Sequence, residues 1–208
     1  MISGVFGLPA TGKSIFISYC AYCASHGLKV PISGHFDKYE TVYTNFPCEN
    51  CKKLDFDTIG ENLYHDCLMI IDEVQLFADS RNYKNFASKV CDFLSIHRKL
   101  HIDILYASQT FDGMDKRIRS LTDTLYQIDR SFLGLITIRK IKPFMRFDGT
   151  AKEGYELAPL RDSLFYLPSK LYGYVDTDCL IKRFDFKDVY VEYWDELVSY
   201  DFPALLFS

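Results

Sequence analysis

Four residues near the start of the chain have the identity and spacing of a phosphate-binding loop. Gly7, Gly12, Lys13 and Ser14 lie in the stretch GVFGLPATGKS and match the pattern G-x-x-x-x-G-K-[ST]. Glycines let backbone N–H groups turn inward and surround phosphate oxygens at the start of a helix. Lys13 would reach the β- and γ-phosphates, and Ser14 would ligate Mg²⁺. We expect the whole loop to bind the nucleotide, through Gly7, Leu8, Pro9, Ala10, Thr11, Gly12, Lys13 and Ser14.

The alternative for this stretch is a glycine-rich turn that carries a surface lysine. A strand-like segment, ISGVFG, precedes the loop, and a helix-like segment, GKSIFISYCAYCASHG, follows it and ends at Gly27. A phosphate loop requires this strand–loop–helix context, so the context favours nucleotide binding over a plain turn.

A second feature is a pair of acids that follows an apolar run. The run LMIIDE extends from Leu68 to Glu73. Asp72 would hold Mg²⁺, directly or through water, and Glu73 would polarise the water that attacks the γ-phosphate. The alternative is a strand end followed by a helix N-terminus, which also attracts acids. The phosphate loop upstream favours the catalytic interpretation.

The expected nucleotide is ATP, bound with Mg²⁺. The sequence has no N-K-x-D stretch of the kind that recognises guanine. Adjacent Asp and Glu after the apolar strand are typical of ATPases rather than of small GTPases.

Gln109 is a candidate for coupling the nucleotide to the rest of the chain. It ends the segment HRKLHIDILYASQ, whose last part reads as the strand that follows the Asp72 strand. Carboxyl ends of parallel strands face one crevice, so its amide would sense the γ-phosphate or orient water. The alternative is a strand-end glutamine in a loop. His97 and Arg98, upstream, are further candidates for coupling. The alternative for these two residues is that, as cations, they cap the end of the preceding helix.

Two arginines in the segment DKRIRSL are candidates for a charge supplied to a neighbouring subunit. An arginine of this kind stabilises charge on the transferring phosphoryl group. Arg119 is the favoured candidate and Arg117 the weaker one. Ordinary salt bridges on a helix surface, from Arg119 to Asp115 or Asp123, are the alternative.

The seven cysteines are scattered and odd in number, as expected of a chain that folds in a reducing cytoplasm. Cys20 and Cys23 form one C-x-x-C pair, and Cys48 and Cys51 form another. Zinc binding by these pairs is the minor interpretation. The first pair falls on the helix after the phosphate loop, where buried thiols are common core residues.

The elements that must position these residues alternate between strand and helix. Strand patterns occur in ETVYTNF, CLMIIDE, IDILYASQ and LYQI, and helix patterns occur in NYKNFASKVCDFLSIHRK and GMDKRIRSLTDTL. This alternation predicts an α/β fold with a mainly parallel sheet flanked by helices. From about residue 131 onward strand patterns dominate, in FLGLITIRKIKPFMRF and SKLYGYVDT, while the tail VYVEYWDELVSYDF is ambiguous. We expect one domain over residues 1–208, with a core of about residues 1–130 and a β-rich extension.

Composition limits the choice of partners and compartment. The chain has 48% hydrophobic residues and a net charge of −4, which argues against a protein that coats nucleic acid with its whole surface. Residues 115–146 nevertheless carry eight Lys and Arg against three acids, which is compatible with a local phosphate contact or with ordinary solvated surface. The sequence has no transmembrane run and no signal peptide pattern. We expect a cytoplasmic location.

Taken together, these motifs resemble the zonula occludens toxin (Zot)-like ATPases. The resemblance rests on the N-terminal phosphate loop and on TVYTNFP, IIDEVQLF, HRKLHIDILYASQ, KRIRSL and SKLYGYVDT, and it covers roughly residues 1–180. The family includes the filamentous-phage assembly protein and is similar to the wider FtsK/HerA group of ring-forming DNA motors. The resemblance implies a P-loop NTPase fold, the roles argued above for Asp72, Glu73 and Gln109, and preference for Arg119 over Arg117. It also implies a homo-oligomeric ring, with a hexamer favoured, ATP between subunits and viral genomic DNA in the centre.

The end of the chain departs from the membrane-bound members of that family. Those proteins carry a transmembrane helix after the ATPase domain, whereas this sequence ends at DFPALLFS. It is either a cytoplasmic fragment or a complete soluble motor of the size of viral packaging ATPases. The expected function is an ATP-hydrolysing DNA motor for virion assembly, by genome packaging or by phage extrusion. The resemblance implies the host cytoplasm as its location, with the inner membrane or a virion vertex as specific sites. The alternatives are an ATP-binding morphogenesis scaffold that recruits coat or membrane proteins and, less favoured, a nucleotide kinase.

Overall fold

A computed structural model of the chain describes residues 1–32, 39–59, 64–74, 92–110, 116–130, 135–146 and 154–168. Within these ranges the strands are β1 (Ile2–Phe6), β2 (Thr41–Thr44), β3 (Lys52–Lys53), β4 (Cys67–Ile71), β5 (Ile102–Ser108), β6 (Thr124–Arg130), β7 (Leu135–Arg146) and β8 (Gly154–Pro168). The helices are α1 (Lys13–Ser25) and α2 (Lys116–Leu121), with a 3₁₀ turn at Phe56–Thr58. Residues 92–96 are also helical.

The eight strands form one sheet in the order β3-β2-β4-β5-β1-β6-β7-β8. Strands β1 to β6 pair in parallel, and β7 and β8 extend the sheet by antiparallel pairing. The central strands β4 and β5 are buried along their whole length, which explains why β4 is apolar throughout and β5 is apolar apart from the buried Asp103 and Ser108. Parallel pairing places the carboxyl ends of β1, β4 and β5 at one edge, where the expected site residues lie.

Two apolar layers cover the faces of this sheet. On one face α1 packs through Phe16 and Ile17 against Val5, Leu105 and neighbouring strand residues. On the other face the segments that contain Phe93 and Ile118 pack against the opposite sides of β1, β4 and β5. The strands therefore lie between two layers of helix, which confirms the predicted α/β class.

Helix α1 ends where the sequence predicts. Gly27 has a left-handed φ of 67°, its N–H donates to Ala24 O, and Leu28 N–H donates to Cys23 O at 2.8 Å. These two hydrogen bonds satisfy carbonyl groups in the last turn of the helix, and they require a residue at position 27 that tolerates positive φ.

Most of the predicted strands are confirmed, and the β-rich extension is confirmed by β7 and β8. The helix predicted over GMDKRIRSLTDTL is shorter than expected. It ends at Leu121, and Thr124 already belongs to β6, because Asp123 N–H donates to Ile2 O beside β1. The two-residue strand β3 was not predicted. The predicted strand SKLYGYVDT, the C-terminal tail and most of the predicted helix NYKNFASKVCDFLSIHRK lie outside the described residues.

Within the described part of the chain, no helix has both the length and the apolar content needed to cross a membrane.

Candidate active site

The loop between β1 and α1 has the backbone geometry that phosphate binding requires. Gly12 has a φ of 105° and Ala10 a φ of 61°, so both residues are left-handed. Thr11 Oγ1 donates to Leu8 O at 2.8 Å, and Gly12 O accepts the first helical bond from Phe16 N–H. Alternation of left- and right-handed residues turns successive N–H groups into one concave surface, which attracts anions.

Gly7 is required by a contact with a distant strand. A Cβ at this position would lie 2.3 Å from the carbonyl oxygen of Ile128 in β6 and 2.9 Å from Thr11 Oγ1. A backbone oxygen at that distance cannot move away without shifting β6. The first glycine of the motif therefore lets the loop lie close against the sheet.

The ammonium group of Lys13 lies across the mouth of the loop. Its Nζ donates to Gly7 O and to Leu8 O, each at 3.0 Å, and the side chain is buried. Burial lowers the pKa of Lys13, while the charges of Glu73 and Asp72 act in the opposite direction. The lysine is thus held between the phosphate loop and the two acids that follow β4.

Asp72 lies close to Ser14 of the phosphate loop. The carboxyl is almost completely buried, and burial raises its pKa to about 6. The hydrogen bonds from the Ser14 hydroxyl and the Glu73 N–H, and the charge of Lys13, lower the pKa in part, while the charge of Glu73 raises it. The two halves of the predicted Mg²⁺ site, Ser14 and Asp72, are therefore in direct contact.

Glu73 has a backbone conformation that is uncommon for a residue with a side chain. Its φ is 48°, and its N–H donates to Asp72 Oδ1 at 2.9 Å. A left-handed non-glycine residue costs about 1 kcal/mol or more, and such strain concentrates at functional sites. The chain turns sharply after Asp72, and the half-buried Glu73 lies close enough to Lys13 for their charges to interact.

Asn45, which directly follows β2, is a site residue that the sequence analysis did not identify. Its Oδ1 accepts a hydrogen bond from Asp72 N–H at 2.7 Å, and its Nδ2 donates to Asp72 O at 2.9 Å. The side chain is fully buried. Its position at the end of a predicted parallel strand was the available signal, because such residues converge on one edge of the sheet.

Gln109 lies at the same edge of the sheet. It follows Ser108 of β5, which is in register with Phe6, the residue before the phosphate loop. Its side chain is exposed. The strand order places Gln109 between the acid pair and the phosphate loop. The catalytic role of Gln109 stays a prediction.

Arg119 lies on α2, on the opposite face of the sheet from α1. Burial raises the pKa of Tyr106 in β5, and the positive charge of Arg119 opposes this increase. The hydroxyl group of Tyr106 is hydrogen-bonded to that of Thr122. Asp123 is the partner that the salt-bridge alternative gave to Arg119. Its carboxylate instead accepts hydrogen bonds from Arg98 Nη2, at 2.9 Å, and from Ile2 N–H. The in-trans role of Arg119 remains a prediction, and the side chain of Arg117 and all of Asp115 lie outside the described residues.

His97, Cys20, Cys23 and Cys48 are buried, and their contacts are those of residues in a folded core. The Nδ1 of the buried His97 is bonded to Leu94 O, which is the helix-capping alternative. Cys20 and Cys23 are buried on α1, as the helix pattern predicts. Cys48 is buried, and hydrogen bonding to the Cys51 thiol, together with burial, raises its pKa.

The donor set at the carboxyl edge fits a magnesium-bound nucleotide. Ser14 and Asp72 present hard oxygen ligands in contact with each other, which suit Mg²⁺. Lys13 and the concave loop backbone supply the cation and the N–H donors that a phosphate chain needs. A glycine at position 7 leaves no side chain between β6 and the loop.

A phosphate loop after β1 and an acid pair after β4, joined at one edge of a parallel sheet, define a P-loop NTPase. The sequence also matches the family "Zonular occludens toxin (Zot)" over residues 43–159, which is more than half of the chain. The chain therefore belongs to the Zot family. A comparison with curated proteins gave no match.

Solved structures with a similar arrangement include the N-terminal domain of zonular occludens toxin from Neisseria meningitidis. It has 18% identity and a TM-score of 0.49, with 83% of this chain and 96% of that chain covered. The DNA-packaging ATPase B204 from Sulfolobus Turreted Icosahedral Virus has 13% identity and a TM-score of 0.46, with 64% and 78% covered. The B204 genome-packaging NTPase of Sulfolobus turreted icosahedral virus 2, in complex with ATP-gammaS, has 12% identity and a TM-score of 0.44, with 66% and 90% covered.

Proposed function

We propose that this chain hydrolyses ATP and uses the hydrolysis to move viral DNA during virion assembly. The observation that carries the proposal is the position of Ser14 and Lys13 of the phosphate loop beside the buried Asp72, with Glu73 next to it. This arrangement joins the phosphate loop to the acid pair, and a P-loop NTPase requires both for phosphoryl transfer.

Each residue of the site has a role that follows from its position. Lys13, buried and aimed across the loop, would bind the β- and γ-phosphates in place of its present carbonyl partners. Bound Mg²⁺ would neutralise phosphate charge, held by Ser14 and Asp72. Glu73, turned out of the strand by its positive φ, would accept a proton from the attacking water. Gln109, exposed at the next strand end, would orient that water.

The motor part of the proposal rests on membership of the Zot family and on local positive charge. Arg139 and Lys142 in β7 are exposed on a protein with a net charge of −4. Exposed basic residues of this kind would bind the DNA backbone without reading its sequence. A homo-oligomeric ring, with six subunits favoured, would place Arg119 of one subunit at the ATP of the next. Packaging into a capsid and extrusion of a phage both fit this mechanism.

The proposal is tested by steady-state ATP hydrolysis, with and without DNA. We expect turnover by the wild-type protein that DNA stimulates. Glu73→Gln should lower turnover by about 10²-fold or more, since general-base catalysis contributes that much, while ATP binding persists. Lys13→Ala should lose ATP binding, and Lys29→Ala, an exposed lysine elsewhere, is the matched control. Full turnover by Glu73→Gln would refute the mechanism.

The second candidate function is a morphogenesis scaffold that binds ATP without moving DNA. The strained Glu73 next to the buried Asp72 argues against it, because a protein that only binds ATP has no need of a water-activating carboxylate. ATP binding with no turnover, with and without DNA, would support the scaffold. Transfer of the γ-phosphate to nucleoside monophosphates would instead identify a nucleotide kinase.

A further inference from the structure

A second cluster of ligating side chains lies at the edge of the sheet opposite to the nucleotide site. Glu40 directly precedes β2, His65 and Asp66 precede β4, and His101 precedes β5. Because these three strands are parallel, their amino ends meet at one edge while Asn45, Asp72 and Gln109 lie at the other. We refer to Glu40, His65, Asp66 and His101 as the amino-edge cluster.

The side chains of the amino-edge cluster converge. One donor atom each of Glu40, His65 and Asp66 lies within 4.8 Å of the others. The two imidazoles flank the Asp66 carboxylate, with His65 Nδ1 3.0 Å from Oδ2 and His101 Nδ1 3.0 Å from Oδ1. Hydrogen bonds from both histidines lower the pKa of Asp66, so this carboxylate is an anion at neutral pH.

Backbone hydrogen bonds hold the three segments together independently of these side chains. Glu40 N–H donates to Asp66 O at 3.2 Å, and Asp66 N–H donates to Leu100 O at 3.0 Å. The Cα positions that carry the ligating groups are therefore set by the sheet. Only side-chain rotation is needed to close the cluster around a ligand.

We propose that Glu40, His65 and Asp66 bind a divalent transition metal of the zinc class, with His101 orienting the Asp66 carboxylate. An imidazole with two carboxylates suits Zn²⁺, whereas Mg²⁺ prefers a site made of oxygen alone. Ligand atoms around a tetrahedral zinc with bonds of ~2.0 Å lie about 3.3 Å apart. The His65–Asp66 pair is at 3.0 Å, and the three ligand atoms lie within 4.8 Å of one another, so small side-chain rotations would close the site. Water would complete the coordination, since His65 and Asp66 are 66% and 44% exposed.

A metal at this position would connect the amino ends of β2 and β4, which carry Asn45 and Asp72 at their other ends. Its expected effect is on stability, because binding to the folded chain alone raises the unfolding temperature by mass action. The proposal does not depend on ATP hydrolysis, and its test uses no nucleotide.

The test is titration of the full chain, freed of metal with a chelator, with Zn²⁺ alone in a calorimeter. We expect one site, with affinity about tenfold or more weaker in His65→Ala and Asp66→Asn, and about tenfold weaker in His101→Ala. His26→Ala removes an exposed histidine outside the cluster and should bind as the wild type does. Zn²⁺ should raise the melting temperature of the wild type and of His26→Ala equally and that of the cluster variants by less, and Mg²⁺ should not replace it.

The Co²⁺ complex distinguishes this site from one built by the cysteines. Coordination by nitrogen and oxygen gives visible d–d bands without thiolate charge-transfer absorption, and we expect that spectrum for the wild type. Thiolate bands, equal Zn²⁺ affinity in His65→Ala, or the absence of Zn²⁺ binding by the wild type would each overturn the proposal.

Discussion

The side-chain amide of Asn45 binds the backbone of Asp72 on both sides, accepting from its N–H at 2.7 Å and donating to its carbonyl at 2.9 Å. These two hydrogen bonds fix the residue that follows β4 against the residue that follows β2. The backbone of the residue expected to hold Mg²⁺ is thereby positioned from the neighbouring strand, while Glu73 N–H donates to its carboxylate.

Loss of these two hydrogen bonds should lower the rate of ATP hydrolysis by more than the loss of stability explains. Asn45→Ala leaves two buried backbone groups of Asp72 without their partner, which should cost about 3 kcal/mol of unfolding free energy. It should also lower kcat and raise the Mg²⁺ concentration needed for half-maximal rate. Urea unfolding and Mg²⁺-dependent kinetics measure the two effects.

Thr44→Val provides the matched control for Asn45. It removes a buried hydrogen bond, from Thr44 Oγ1 to Phe46 O, in the same segment and without contact to Asp72. We expect a loss of stability with normal kcat and Mg²⁺ dependence. If both variants lose activity in proportion to stability, Asn45 has no positioning role.

Asp72 should make the protein less stable as the pH rises. Its folded-state pKa is about 6, above the ordinary value of 3.8, so the folded chain binds the proton more tightly than the unfolded chain. Titration of Asp72 therefore lowers the free energy of unfolding between about pH 4 and 6, by up to about 3 kcal/mol in the absence of Mg²⁺.

Asp72→Asn tests this dependence, because an amide does not titrate. Its stability relative to the wild type should be lowest near pH 4 and should increase toward pH 7, as measured by urea unfolding at each pH. Mg²⁺ with ATP should narrow the difference at pH 7 by stabilising the wild-type carboxylate. A difference that is constant over this pH range would contradict the elevated pKa.

The sequence predicts those parts of the site that depend on residues close together in the chain. Gly12 and Lys13 follow from a local pattern, and Asp72 follows from a buried strand ended by an acid. The contact of Gly7 with Ile128, and that of Asn45 with Asp72, depend on which strands are neighbours. One strand, β5, lies between β4 and β1, and hydrophobic patterns do not encode such an order.

Gly7→Ala should weaken nucleotide binding, because the new methyl group would lie 2.3 Å from Ile128 O. The loop or β6 must shift, and ATP affinity should fall about tenfold or more, since phosphate binding depends on backbone N–H positions. Fluorescent nucleotide titration measures the loss. Gly27→Ala is the control: it has a positive φ of 67° but open space, so it should lower stability and leave affinity unchanged.

Arg119 should act on the nucleotide of a neighbouring subunit. It lies on the α2 side of the sheet, next to Tyr106, whereas the phosphate loop leads into α1 on the other side. Arg119→Ala retains a complete phosphate site, and Lys13→Ala retains the arginine. A mixture of the two inactive variants should regain ATP hydrolysis at mixed interfaces. Arg98→Ala, which loses only the pair with Asp123, should be active alone. No recovery in the mixture would contradict the in-trans role.

The exposed basic residues of β7 should determine how DNA binding depends on salt. Ile136 and Ile138 pack in the core on the α1 side, and Ile141 packs with Leu125 and Phe6 in a separate cluster. Arg139 and Lys142 of the same strand are exposed. If both contact phosphates, Arg139→Ala/Lys142→Ala should reduce the slope of log affinity against log salt by about two.

Basal ATP hydrolysis should be unchanged in this double variant, because β6 lies between β7 and β1, the strand that leads into the phosphate loop. The control is Lys29→Ala/Lys52→Ala, which removes the same charge from exposed positions outside residues 115–146. An equal change of slope in both double variants would mean that net charge, rather than β7, governs the interaction. An unchanged slope in the β7 variant alone would place the DNA elsewhere on the protein.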